Sequence, residues 1–184
     1  MAIIMSLQDT ISSAEKDVVR VVLRCNDATE NQKLDLSSCF LASFPDAVFM
    51  LLRNTQLESL DLSQNVLRKI TPKLPQKFSY INSLNLSSNR LCALPDETSA
   101  LENLSRLDLS KNEFMSIPWC IYRMPQLRFL DLSNNYIADV ELDRLKQLNC
   151  EIRLNDNPLN EDCCKRLAKE NLPSISYTPF RKNE

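Results

Sequence analysis

The sequence predicts an α/β solenoid of about six short coils, and three observations carry that reading. A pattern of spaced aliphatic residues ending in Asn-x-aliphatic recurs along the chain. Leu57, Leu60, Leu62, Asn65 and Leu67 fill it, as do Ile81, Leu84, Leu86, Asn89 and Leu91. Leu104, Leu107, Leu109, Asn112 and Phe114 repeat it, then Leu127, Leu130, Leu132, Asn135 and Ile137. Weaker copies flank these: Leu34, Leu36, Cys39 and Leu41 before, with polar Asn31 in the first slot, and Ile152, Leu154, Asn157 and Leu159 after, with Asn149 there. The second observation is the interval, since the Asn or Cys positions 39, 65, 89, 112, 135 and 157 differ by 26, 24, 23, 23 and 22 residues, the size of one supersecondary unit. The third is a change of period inside each copy. Leu-x-Leu alternates as a strand does, whereas Thr98/Leu101, Ile121/Met124 and Leu142/Leu145 are offset by three, as in short helical turns.

The elements follow in chain order within a single domain, 1–184. Residues 1–30 form an N-terminal cap, because the first coil of a stack needs its apolar face covered. Leu7, Ile11, Ala14, Val18, Val21, Val22 and Cys25 recur at helical offsets, so an amphipathic helix is expected over 7–25. The repeats occupy 31–159. In each, the strand leucines point inward, and the following Asn offers two donors and an acceptor to backbone groups that the turn leaves unpaired. Cys39 stands at the first rung. Phe44-Pro45, Leu94-Pro95 and Ile117-Pro118 mark bends toward the outer side, where Pro fixes φ and stops the strand. The fifth repeat lacks that Pro, so its outer segment is expected to be a fuller helix. Residues 160–177 form the C-terminal cap, with Cys163, Cys164, Leu167 and Ala168 turned to the last coil and Ile175 and Tyr177 in a final extended stretch. Residues 178–184 read as a polar tail. Asn112→Ala is expected to be costly, and Asn134→Ala, one place before a rung, nearly silent.

Composition narrows the function. The net charge is −2, from 22 basic and 24 acidic residues, which gives no bulk electrostatic surface for nucleic acid or anionic membrane. There is no Gly, so phosphate-cradling glycine loops are absent, and no His, so Ser-His and Cys-His pairs and the commonest metal ligand are gone. No enzyme, cofactor or metal site is expected. Seven scattered cysteines read as reduced thiols. The opening Met1-Ala2-Ile3-Ile4-Met5 has no basic flank and is short for a signal peptide, and the longest apolar run, 47–52, is far below a membrane span. A soluble, cytoplasmic monomer is the expectation.

The repeats resemble the intracellular leucine-rich repeat family over nearly the whole chain. Several stretches bring the likeness closer to one member: Phe44-Pro45 followed by Leu52-Arg53-Asn54, Leu94-Pro95-Asp96-Glu97 running into Ser99-Ala100-Leu101, Asp108 to Phe114, and Asn157-Pro158-Leu159-Asn160. The resemblance implies a right-handed horseshoe with a parallel sheet on its concave face. It implies no activity.

The leucine register fixes the columns on the sheet's outer surface. One column is Asp35, Asp61, Asn85, Asp108, Asp131 and Arg153; beside it stand Lys33, Ser59, Ser83, Arg106, Phe129 and Glu151. An acidic stripe can await a basic partner, but Leu-Asp-Leu-Ser is also common repeat consensus in which Asp accepts local backbone bonds, and that plainer reading is preferred for the stripe. Phe129 is different, because an outward strand position gives a large aromatic no core to serve. With Arg106 and Arg128 near it in sequence, it has the composition of an interface hot spot. The expected site is therefore Phe129, Arg106, Arg128, Asp108 and Asp131, extended by Asp61, Asp35 and Arg153, and the expected ligand a protein. The expected role is an adaptor or scaffold, with a regulatory subunit of a phosphatase or small GTPase as the alternative, Arg90 or Arg106 being the arginine donor in the GTPase case. Trp119, the only Trp, is expected to cover a neighbouring turn on the convex side.

Overall fold

The computed structural model describes residues 13–180. Among them seven strands form one parallel sheet in sequence order: β1 (Lys33–Asp35), β2 (Ser59–Asp61), β3 (Ser83–Asn85), β4 (Arg106–Asp108), β5 (Phe129–Asp131), β6 (Glu151–Leu154) and β7 (Ile175–Tyr177). Equivalent residues of successive repeats pair, so Lys33, Ser59, Ser83, Arg106, Phe129 and Glu151 form one row and Asp35, Asp61, Asn85, Asp108, Asp131 and Arg153 another. Between the rows, Leu34, Leu60, Leu84, Leu107, Leu130 and Ile152 are buried, as the two-residue period requires.

The strands are short because the chain turns sharply after each. Ser38, Gln64, Ser88, Lys111, Asn134 and Asp156 all have φ between 53° and 57°, a left-handed conformation that costs roughly 1–2 kcal/mol for most side chains and less for Asn and Asp. With no Gly in the chain, the next residue supplies the compensation. Asn112 Nδ2 donates to the carbonyls of Leu109 and Ser110 in its own turn and to Leu86 in the preceding coil, while its Oδ1 accepts from Leu91 N. Asn65, Asn89, Asn135 and Asn157 donate and accept in the same way. Each rung thus ties its coil to the one before. Cys39 has no coil before it, and Arg24 of the cap donates instead to the Ser37 carbonyl at 2.7 Å. The expectation that Asn134→Ala is silent fails here, because Asn134 occupies the left-handed position.

The convex side holds α2 (Asp46–Leu51), α3 (Lys73–Lys77), 3-10 turns at Asp96–Ala100 and Trp119–Arg123, and α4 (Leu142–Leu145). The fifth repeat is α-helical, as expected, but its four residues fall short of the six of α2. Thr98 sits in an apolar slot at 2% exposure because its hydroxyl donates to the Pro95 carbonyl.

Both caps are present, each with a correction. The first is α1 (Ser13–Asn31), longer than expected at its C-terminal end; Leu7 and Ile11 lie outside the described residues. Its buried face is Val21, Cys25 and Ala28, whereas Val18 and Val22 are exposed. Apolar residues surround much of this helix, so the pattern alone did not single out the packed side. At the other end, α5 (Glu161–Glu170) starts with Asn160 accepting from Cys163 N, and it buries Cys163, Cys164 and Leu167 but not Ala168. β7 follows, with Pro173 before it and Pro179 after it. The cysteines are all unpaired, and all but Cys92 are buried. Burial pushes the thiols of Cys120, Cys150 and Cys163 up to about 11, so little reactive thiolate exists there at neutral pH. No helix among the described residues is long and apolar enough to cross a membrane.

Candidate protein-binding face

The aspartate row does local work first. Ser37 N donates to Asp35 Oδ1, Ser63 N to Asp61, Ser110 N to Asp108 and Ser133 N to Asp131, at 2.8 to 3.0 Å. Each carboxylate therefore closes a small ring over the start of its turn, the reason Asp and Asn suit this position. Asn85 does the same for Ser87 and also donates Nδ2 to Asp61 Oδ2 at 2.9 Å. At the first strand Asp35 meets Arg24 at 3.5 Å. Burial alone raises the Asp35 carboxyl, but the Ser37 hydrogen bonds and the Arg24 charge outweigh it and hold the group below its ordinary value. Arg24 is a contributor to this face that the sequence did not reveal, since it lies on the cap helix and far from the strand pattern.

The second half of the face is organised around Phe129. Arg106, one strand before, lays its guanidinium 3.9 Å from the ring centroid, and Arg153, one strand after, stands 4.8 Å from it. Phe129 is consequently half-buried rather than bare. Each cation over the ring contributes about 0.5–1 kcal/mol at a surface site. Arg153 is also neutralised, with Nε 3.0 Å and Nη2 2.9 Å from Glu151 Oε1, and Nη1 3.9 Å from Asp131 Oδ2. Arg106 makes no ion pair and no side-chain hydrogen bond among the described residues. Beside it lies a shallow depression of about 270 Å³ lined by Ser59, Asp61, Ser83, Asn85, Arg106 and Asp108.

Arg128 does not join this group. Strand alternation sends its side chain away from the Phe129 surface, and its guanidinium donates to the Pro125 and Leu127 carbonyls and to Gln126. Its place beside the ring is taken by Arg153, which the column of equivalent residues identified but whose contact with Phe129 adjacency in sequence concealed. Trp119 lies on the other side of the molecule, 55% exposed, edge-on to Tyr122 at 6.0 Å and covered on one face by Arg144 of the next repeat at 3.9 Å. The larger hollows, of about 560 and 340 Å³, also lie on that flank. Their arginines already meet acids, Arg144 pairing with Glu141 and Arg166 with Asp139 and Asp162.

Comparison with known proteins agrees with this architecture. The chain is 38% identical to human leucine-rich repeat-containing protein 20 over 91 residues, which is 47% of this chain and 50% of that protein. It thus spans about half the length of this relative. It is 38% identical over 80 residues to the mouse PH domain leucine-rich repeat-containing protein phosphatase 1, covering 39% of this chain and 4% of that one. A solved leucine-rich repeat protein of Leptospira interrogans superposes with a TM-score of 0.63 at 28% identity, over 75% of this chain and 34% of that chain. The pattern of the family described as leucine rich repeat matches residues 32–91 and again 79–137, more than half of the sequence. With its repeats, its Asn ladder and its single parallel sheet, the chain belongs to the leucine-rich repeat family.

Proposed function

We propose that this chain is a non-enzymatic binding module, an adaptor or scaffold of the cytoplasm, that engages a partner protein as a monomer through its concave face. Leucine-rich repeat domains in general bind proteins. The observation that supports this use of this face is the Arg106–Phe129–Arg153 stack on β4, β5 and β6. An aromatic held between two guanidinium groups is rigid before contact, and Arg with aromatic side chains is the composition enriched at interface hot spots. Asp108, Asp131, Asp61 and Asp35 flank the stack as a polar rim that steers approach more than it adds affinity.

The test uses the full chain as immobilised bait for cell extract, with the principal bound protein identified and its capture measured against bait concentration. Phe129→Ala should weaken that capture at least tenfold, the effect of losing about 2 kcal/mol at a hot spot. It should lower the melting temperature only slightly, since half of the ring faces solvent. Trp119→Ala, on the opposite side, should leave capture intact. Reversal of those two outcomes would move the binding face to the convex side.

A second reading has one observation in its favour, the likeness to a protein whose name includes a phosphatase. In it the chain is a regulatory subunit of an enzyme, and the captured protein would itself be a phosphatase or small GTPase.

A further inference from the structure

We propose that the Arg106 guanidinium is the docking point for a carboxylate of the partner, an aspartate or glutamate side chain. This rests on the concave-face reading and names the chemistry that the partner brings to it. The argument starts from the lack of balance around one ring. Phe129 carries a guanidinium from the strand on either side. That of Arg153 is saturated: Glu151 takes its Nε and Nη2, and Asp131 stands at 3.9 Å from Nη1. That of Arg106 lies closer to the ring and has no carboxylate. Glu151 precedes Arg153 by two residues, and Asp108 follows Arg106 by two, so a matching pair was available within β4. It does not form, because Asp108 Oδ1 is held by Ser110 N at 3.0 Å and by Ser110 Oγ at 2.7 Å.

Stacking on Phe129 fixes the plane of Arg106, so an incoming anion meets an oriented fork of N–H donors with less side-chain entropy left to lose. A carboxylate matches that fork with two parallel hydrogen bonds. Asp61 and Asp108 line the same depression, and their charge disfavours a dianionic phosphate more than a monoanion. The partner surface that fits here thus presents one acidic side chain, with an apolar neighbour over the open edge of Phe129.

The experiment follows the arginine Nε–Hε signals of the isotope-labelled full chain by NMR while N-acetyl-glutamate N-methylamide is added at constant ionic strength. Arg106 should shift saturably, with apparent affinity at least ~5-fold above that of exposed Arg68, because its plane is already fixed. N-acetyl-glutamine N-methylamide should leave it unmoved. The Phe129→Leu variant keeps an apolar side chain on β5 and should bring Arg106 down to the response of Arg68. Equal shifts at Arg106 and Arg68 in the native chain would overturn the proposal, as would undiminished selectivity in Phe129→Leu. A stronger response to inorganic phosphate would replace the carboxylate with a phosphoryl ligand. Because the titration needs no partner, it is independent of the capture assay. A selective Arg106 response beside Phe129-independent capture would keep the carboxylate site and reject the concave-face reading.

Discussion

At the scale of single residues, the chain pairs a cost with its remedy at adjacent positions. Each turn adopts a left-handed residue without glycine, and the Asn that follows satisfies the carbonyls the turn exposes. Asn112→Ala removes donors from three carbonyls and an acceptor from Leu91 N, and should cost ~1–3 kcal/mol in denaturant titration. Asn134→Ala should cost about 1 kcal/mol for the left-handed backbone, and Asn134→Gly nothing or a gain. An Asn112→Ala protein as stable as Asn134→Ala would remove the ladder from the account of stability. The rungs and the rows of the sheet were legible in the sequence because both follow from the leucine period. The left-handed turns were not, since Ser, Gln, Lys, Asn and Asp share no signature and glycine, which would have marked them, is missing. Arg128 and Arg153 show the same limit: sequence distance placed the former near Phe129, but alternation along one strand and pairing with the next decide who touches it.

At the scale of elements, the caps separate composition from orientation. A helix over the first coil follows from repeating apolar residues, yet Val18, Val19, Val22 and Leu23 are exposed while Val21, Cys25 and Ala28 are packed. What chooses between the faces is the first coil itself, through Arg24 reaching the Ser37 carbonyl and Arg20 reaching that of Ser38. These hydrogen bonds lie at 2.7 and 3.4 Å and set the helix's rotation about its axis. Val21→Asp should therefore lower the melting temperature markedly, by burying an unpaired charge against Leu34 and Leu36. Val18→Asp should stay within ~0.5 kcal/mol of the native chain, as exposed substitutions do. Equal effects of the two in thermal unfolding would mean that α1 does not pack by the described face. At the other end, Pro173 and Pro179 bracket the three residues of β7. Proline donates no backbone hydrogen bond, so the last strand offers little length for another strand to join.

At the scale of the whole molecule, the two halves of the concave face differ in kind: hydrogen-bonded carboxylates over β1 to β3, and a cation–aromatic stack over β4 to β6. Adjacent strands are ~4.8 Å apart, so one partner can span both halves, and the sequence showed this division once the register was known. The Asn ladder has a further consequence, in mechanics. Each rung binds its own coil and the preceding one, so the molecule resembles a stack of clips joined pairwise. Pulled from its two ends in an optical trap, it should not rupture in one event. Coils should peel from an end in turn, each releasing 22 to 26 residues, or roughly 80 Å of chain at ~3.5 Å per residue. Asn112→Ala should merge two of those steps by weakening the clip between the third and fourth coils. A single rip of the full length would show instead that the coils yield together, and the solenoid would act under load as a strut rather than a spring.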